Sequence, residues 1–469
     1  MIVYRLLRAV TGIALRWFYR GVTVQHAERI PDGRTPLLLA VNHPNALVDA
    51  LVVGWAVPRR VTITAKATLF ENPVLGWFLR SVGVVPLRRA SDERQRLATG
   101  ATADGADRSR NTEAFRAILQ QLEQGGTVLI FPEGKSHDEP ALAPLRTGPA
   151  RIALQAHHEG RTQSLVILPI GLVFEAKETP RSRVLVDVGQ PLDVASWVAA
   201  NGTGDGPATA TALTEEIDRR LRDVTLNYAT ADEAQQARGL ARVFASLLDE
   251  PAPIGFDRSL RDEVEVERRL AQARRLLNAE QTDPALRARA EHFLDRFSAF
   301  ERTLCTERIA IDDVAIPVGT QPGAWFAVRE TAVLALAGPV AIWGRLNHWI
   351  PFRLARALGA RDMSSRDQPA MRTILAGLVL VLLFYALAAI VVDRLAGPVA
   401  SIAYLLTLPI AADVDLRFTE RMQRARERMR AYLRFRRDPH LRHELCTEHE
   451  WLSREIEDLS DLLSAVSHR

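Results

Sequence analysis

The chain has 469 residues, 47% hydrophobic and 25% charged, which excludes both a single small domain and a disordered polymer. Its 60 basic and 56 acidic residues leave a formal net charge of only +4, with arginines scattered among acids, so nucleic acid is not an expected partner. Two cysteines, Cys305 and Cys446, exclude a disulfide framework and a cysteine metal quartet, and point to a reducing, cytoplasmic-side setting.

The opening stretch, "MIVYRLLRAVTGIALRWFYRG" (1–21), is not a signal peptide, because Arg5, Arg8, Arg16 and Arg20 interrupt any uncharged run. On a helix these arginines gather on one side, with Leu, Ile, Val and Trp opposite. Such a helix either lies in a membrane interface or packs on its own domain; the interfacial reading is taken as the expectation.

Residues 22–204 alternate short β-rich runs with helical ones. "GVTV", "TPLLLAVN", "VTITAK", "VGVVPL", "TVLIFP", "QSLVILPIGLVF" and "RVLVDVG" read as strands, and 111–124 and 149–158 as helices. The expected fold class is α/β: a mostly buried mixed sheet flanked by helices, with a helical subdomain and a C-terminal two-helix membrane hairpin. Residues 90–110, polar and rich in Gly and Ala, read as a mobile insertion, and 205–325 as the helical subdomain.

The membrane-associated region is expected over 326–416. "TILAGLVLVLLFYALAAIVV" (373–392) is uncharged and long enough to span a hydrocarbon core. "LAGPVASIAYLLTLPIAA" (395–412) follows after only Asp393 and Arg394, and arginines flank the pair on both sides. The positive-inside rule therefore predicts a hairpin over 373–412 with both ends cytoplasmic. "TAVLALAGPVAIW" (331–343) is too short to span by itself and reads as interfacial or re-entrant; its hexapeptide "LAGPVA" recurs at 395, as shared kink chemistry. Residues 417–469 read as a cytoplasmic helical tail, first basic, then amphipathic. Its arginines either hold anionic lipid or pair with neighbouring acids.

Four stretches of the α/β region carry candidate chemistry. In "NHPNALVD" (42–49) a strand ends at His43 and a helix begins before Asp49. Histidine accepts protons near neutral pH, and an acid on its second ring nitrogen fixes the tautomer. In "SVGVVPLRR" (81–89), Gly83 permits close backbone approach, Pro86 stiffens the strand and Arg88 presents a guanidinium able to grip phosphate. "VLIFPEGKSH" (128–137) runs from a buried strand through Phe131, Pro132, Glu133 and Gly134 to Ser136, where open α/β sheets place ligands. Glu133 is a candidate for hydrogen-bonding a polyol or orienting basic groups, and the downstream "RTGPARIAL" offers a helix N-terminus to an anion. Pro169, in "VILPIGL", would shape a wall of the site. "HDE" (137–139) and "HHE" (157–159) lack metal-ligand spacing, so no metal is expected.

In this order, the His…Asp pair, Gly-x-x-Pro-x-Arg, Phe-Pro-Glu-Gly-x-Ser and the proline-bearing strand resemble the glycerolipid acyltransferase family, including glycerol-3-phosphate and 1-acylglycerol-3-phosphate acyltransferases. The resemblance spans roughly residues 20–195, including Lys66 before a Leu-Phe pair, and leaves the C-terminal part unexplained. It departs at one point: five residues separate His43 from Asp49 instead of the usual four, with Val48 where the acid would fall. On a regular helix this turns the acid by about 100°, which the loop before the helix can absorb. The longer spacing is similar to that of fungal-type glycerol-3-phosphate/dihydroxyacetone-phosphate acyltransferases, which also carry C-terminal membrane segments.

The resemblance implies an enzyme bound to the cytoplasmic or inner membrane, its catalytic domain on the cytoplasmic side. It would move a fatty acyl group from acyl-CoA or acyl-ACP to a hydroxyl of 1-acylglycerol 3-phosphate, the alternative acceptor being glycerol 3-phosphate or dihydroxyacetone phosphate. His43 would be the base, Asp49 its orienting acid, Arg88 the phosphate clamp, and no metal or organic cofactor would be required. Two other readings stand beside it. A hydrolase with Ser136 as nucleophile lacks the second glycine of a nucleophile elbow. A non-catalytic lipid-binding membrane protein would not need the full motif set.

Overall fold

A computed structural model describes residues 2–71, 73–81, 83–87, 106–162, 164–202, 206–248, 259–277, 283–360 and 369–467. Most of the expected insertion (90–105) thus lies outside the described residues, and 106–110 open a helix. The chain forms two compact units, Met1–Ala231 with Ala355–Leu378, and Asp232–Leu354 with Val379–Arg469.

The first unit is built on an eight-stranded mixed sheet. Its strands are β1 (Gly21–Gln25), β2 (Leu37–Val41), β3 (Val61–Lys66), β4 (Val85–Leu87), β5 (Thr127–Ile130), β6 (Val166–Phe174), β7 (Arg183–Val188) and β8 (Leu192–Asp193). The order is β1-β7-β6-β2-β5-β3-β4, with β8 on β6; pairing is parallel except where β6 meets β7 and β8. The helices are α1 (Ile2–Phe18), α2 (Ala46–Ala56), α3 (Pro73–Ser81), α4 (Ala106–Glu123), α5 (Gly148–His158), α6 (Val194–Asn201) and α7 (Pro207–Val224).

The uninterrupted apolar strands are explained by cover on both faces. In β2 the side-chain alternation sends Leu37, Leu39 and Val41 to one core and Leu38 and Ala40 to the other. The first core is completed by Leu15, Phe18 and Tyr19, by Val48, Val52 and Val53 of α2, and by Ala370 and Ile374. The second takes Ile118 and Leu122 of α4, Ile152 and Leu154 of α5, and Leu213, Ile217 and Leu221 of α7. Each fully buried Leu or Ile contributes roughly 1.5–3 kcal/mol of transfer free energy.

Two segments at the borders of this unit pack on it. The inward face of α1 packs on the domain: Leu15 and Phe18 are buried, Arg8 Nη2 donates to Trp55 O at 2.9 Å, and Leu6 and Ile13 stay exposed. Packing on its own domain, the second of the two readings, thus accounts for the buried side of the helix, and Leu6 and Ile13 remain outside it. The boundary expected at 204 falls inside this unit, because α7 buries Leu213, Ile217 and Leu221 against the sheet.

The second unit is helical, comprising α8 (Ala231–Leu248), α9 (Leu260–Leu277), α10 (Pro284–Glu307), α11 (Thr320–Ala360), α12 (Pro369–Arg437) and α13 (Pro439–Ser467), of which α8, α11 and α12 cross the unit boundaries. Phe293, Phe297, Phe300 and Leu304 pack with Phe435, Leu441, Leu445, Leu452 and Ile456. Arginines of the basic tail are largely taken up in ion pairs: Arg421 with Glu330, Arg424 and Arg428 with fully buried Asp313, and Arg434 with Glu307. These pairs fit the paired-arginine reading for one side of the stretch, while Arg426, Arg430, Arg436 and Arg437 are exposed.

Both α11 and α12 are long and apolar enough to cross a membrane. Residues 331–343 are not a separate short segment; they lie within the 41 residues of α11. Within α12 the backbone leaves the helix at Gly397 (φ 82°), and Ser401 Oγ donates to Ala389 O at 2.9 Å. Twelve residues of straight helix would separate that pair by about 18 Å, so the chain folds back. The reversal lies at Gly397, a few residues beyond Asp393 and Arg394. Leu336, Leu395 and Val399 are at least 80% exposed, as side chains facing hydrocarbon would be.

Candidate active site

Strands β2, β3, β4 and β5 are mutually parallel, so the segments that follow them leave the same edge of the sheet. Two of those segments meet. β2 stops because the polar run 42–45 follows it, and Asn42 extends the ladder with its side chain: Oδ1 accepts from Leu172 N at 2.7 Å, and Nδ2 donates to Leu172 O at 3.1 Å. His43 follows, 7% exposed, its ring stacked on Phe131 with centroids 3.8 Å apart and planes 9° from parallel.

His43 Nδ1 lies 2.9 Å from Asp49 Oδ2, and the same oxygen accepts from Asn45 N at 2.8 Å. An oxygen already accepting one N–H is poorly placed to carry a proton, so Nδ1–H donates and Nε2 holds the ring's lone pair. Asp49 is fully buried. Burial pushes its carboxyl above the ordinary 3.8, while the His43 hydrogen bond and charge, the Asn45 N–H and the charge of Lys177 pull it back. Tyr19, which accepts from Asn45 Nδ2 at 3.1 Å, has its phenol held up by burial first and by the Asp49 charge second.

The extra residue between His43 and Asp49 is taken up in the turn. Asn45 occupies the N-cap position and Ala46, first in α2, has φ 47°, in the left-handed region that alanine seldom enters. Asp49 then reaches back to Asn45 N–H from one position further along than the acid of a capping box.

Glu133 turns inward. Its Oε1 accepts from His43 N at 2.7 Å and its Oε2 from Ala143 N at 2.8 Å, and His137 Nε2 also bonds Oε2. At 3% exposure this carboxylate ties three segments together; of the two roles expected for it, bonding a polyol and orienting basic groups, its bonds to the His137 ring and to His43 N fit the second. Gly134 has φ +77°, the sharp turn that swings the chain back after Glu133, and a Cβ there would also touch the Arg146 side chain at 3.4 Å. Ser136 Oγ accepts from Ala46 N at 3.0 Å, so Ser136 braces the turn.

The structure therefore brings together His43, Asp49, Phe131, Glu133 and Ser136, with Pro132 and Gly134 forming the bend between them. Pro169 sits buried in the middle of β6 beside Ala40, its carbonyl accepting from Gly189 N at 2.8 Å, as part of the sheet interior. Gly83 (φ +80°) and Pro86 belong to the turn and strand at the β4 edge, three strands from β2. Arg88 lies outside the described residues. Sequence reasoning missed Tyr19, Asn42, Asn45 and Lys177. The two asparagines flanking "HP", and Lys177 as one of three lysines in the chain, were signals that could have found some of them. Among the described residues, no group of three or more His, Cys, Asp or Glu side chains is arranged to hold a metal ion.

Residues 21–173 match the family model described as Acyltransferase. Glycerol-3-phosphate O-acyltransferase 2 of Saccharomyces cerevisiae is 32% identical over 167 residues, 35% of this chain and 22% of that one. A chloroplastic 1-acyl-sn-glycerol-3-phosphate acyltransferase of Brassica napus is 24% identical over 169 residues, 36% of this chain and 42% of that one. The crystal structure of the 1-acyl-sn-glycerophosphate acyltransferase of Thermotoga maritima aligns with a TM-score of 0.33 at 19% identity, over 46% of this chain and 78% of that one. The chain spans about a fifth to two fifths of the length of the first curated relatives it matches.

Proposed function

We propose that this chain, whose residues 21–173 are an acyltransferase-family domain, moves a fatty acyl group from a thioester to a hydroxyl of a glycerol-phosphate acceptor at a membrane. The observation that carries the reading is the buried His43 Nδ1 held 2.9 Å from Asp49 Oδ2, from which follows an Nδ1–H donor that leaves Nε2 as the ring's base. A thioester is already reactive, so the acceptor hydroxyl is the partner in need of activation. His43 Nε2 takes the hydroxyl proton as the oxygen bonds to the acyl carbon. The carbon–sulfur bond then breaks, and the imidazolium returns its proton to the departing thiolate. Asp49 stabilises the cation between those steps. A positioned general base contributes about 10²–10⁴ in rate, and alignment of the two substrates contributes more.

On this reading the phosphate is held by Arg88, and acyl-CoA or acyl-ACP is the donor. Two acceptors compete. The motif set by itself suggested 1-acylglycerol 3-phosphate. Glycerol 3-phosphate is favoured by the higher identity to the yeast relative, 32% against 24% for the Brassica one. The exposed apolar faces of α11 and α12 support a bilayer setting, where the acyl chains reside. The hydrolase alternative loses support from Ser136, whose Oγ is engaged with Ala46 N, while the His43 ring is bonded to Asp49.

The test is incubation of membranes bearing the protein with labelled acyl-CoA or acyl-ACP and either acceptor. Labelled lipid product that disappears in His43→Ala supports the proposal. Product formation undiminished in that variant, or fatty acid release without acylated acceptor, overturns it.

A further inference from the structure

Residues 43–46 form a turn whose backbone polar groups are almost all engaged from outside. His43 N donates to Glu133, His43 O accepts from His137 N at 3.3 Å, Asn45 N donates to Asp49, and Ala46 N donates to Ser136. Asn45 O accepts from Val48 N at 3.1 Å, and Pro44 O accepts from Lys177 Nζ at 2.9 Å. The ammonium is paired on its other side with Asp138. Lys177 grips the turn a second time through its own carbonyl, which accepts from Asn45 Nδ2 at 3.1 Å and from Tyr19 OH at 3.3 Å. A left-handed alanine persists only where its surroundings over-determine the backbone, and this turn contains one, at Ala46.

We propose that Lys177, braced by Asp138, is a positioning residue that locks the turn Pro44–Ala46 in its left-handed form and so keeps His43 on Asp49 despite the additional residue between them. The ammonium donates to a backbone carbonyl and pairs with a carboxylate, and through these it shapes the turn. The inference rests on the proposed acyl transfer for its kinetic consequence, but its structural content stands apart from that reading.

The experiment uses the full chain in detergent or membranes, with wild type, Lys177→Met, Asp138→Asn, Ala46→Gly and the Lys177→Met/Ala46→Gly double variant. Two readouts are taken: amide hydrogen exchange over residues 42–48, and kcat and KM for acyl transfer. Lys177→Met is expected to speed exchange in that segment and lower kcat about 10–100-fold, the scale of a misplacement near 1 Å, with KM for the acceptor within about twofold. Glycine adopts positive φ without a Cβ clash. Ala46→Gly alone should therefore leave kcat within about twofold of wild type, and in the double variant recover about threefold or more of the loss. Asp138→Asn should shift both readouts in the same direction by less, which decides the matter if Lys177→Met does not fold. Unchanged exchange in both the Lys177 and Asp138 variants overturns the proposal. So does a rise in KM at constant kcat, or a double variant no better than Lys177→Met. If wild type transfers no acyl group at all, the proposed function fails, and the exchange data alone decide the role of Lys177.

Discussion

His43 Nδ1 and Asp49 Oδ2 stand 2.9 Å apart although five residues separate them, because the chain turns through a left-handed Ala46 before α2 begins. This bond fixes which ring nitrogen is the base. His43→Ala is expected to lower kcat by about 10²–10⁴. Asp49→Asn should lower it by about 10² or more, with KM nearly unchanged, since it disturbs the tautomer without touching substrate. Steady-state kinetics on both variants checks this.

Asp49 also sets a pH dependence of stability. Its folded carboxyl lies above the ordinary 3.8 because burial outweighs its partners. A raised carboxyl pKa means that the charged form costs stability, a cost present above the folded pKa and absent below the unfolded one. Asp49→Asn removes the titration. Whatever offset the lost carboxylate hydrogen bonds impose at neutral pH, wild type should therefore gain stability relative to the variant as pH falls toward 4. Melting curves across that range test the sign, and a wild type that loses ground to the variant on acidification contradicts it.

Glu133 separates a positioning role from a binding one. In Glu133→Gln one accepting oxygen becomes an NH2 facing a buried N–H, Ala143 N–H if the amide nitrogen replaces Oε2. The expected cost is about 1–3 kcal/mol of stability, with a fall in kcat as the bend that carries His43 loosens, or because His43 N loses its acceptor if the amide nitrogen replaces Oε1 instead. A rise in acceptor KM with unchanged kcat and melting temperature would instead place Glu133 on the substrate.

The reversal at Gly397 predicts topology. If the hairpin spans the bilayer, Cys introduced as Asp393→Cys, an exposed position near the turn, should react with an impermeant maleimide in intact cells. Native Cys305, which is exposed, should react only after permeabilisation. Reaction of both from one side rules out a spanning hairpin with cytoplasmic ends.

In the helical unit, Arg424 and Arg428 converge on Asp313, which is fully buried. Asp313→Ala removes the buried carboxylate that both guanidinium groups share, although Arg424 keeps Asp312 and Glu427 within 3.6 Å, and is expected to destabilise this unit by about 1–3 kcal/mol. Chemical denaturation of the full chain provides the measurement.

Much of the sheet was legible in the sequence because burial on both faces writes continuous apolar runs, and those runs mark β2, β5 and β6 directly. β8 was missed, since two residues carry no period. His43 and Asp49 were legible as ionisable side chains inside an apolar stretch, where an unpartnered charge is costly. The direction in which Glu133 and Ser136 point was not legible. Whether such groups meet ligand or backbone depends on a segment some ninety residues away in the chain, and the same holds more strongly for Lys177.

The hexapeptide "LAGPVA" marks that division. Apolar length predicted a spanning helix for the copy at 395 and only a short interfacial or re-entrant segment for the copy at 336, yet both lie in long apolar helices. At 336 the helix α11 continues through Gly338 and Pro339, whereas at 395 Gly397 takes a positive φ and the chain turns back. A Gly-Pro step permits either outcome, since proline fits a kinked helix or the first turn of a new one. Tertiary structure decided between them. After Gly397 the returning arm bonds Ser401 to Ala389 and buries Leu408, Ala411 and Ala412, contacts that exist only once the chain has reversed.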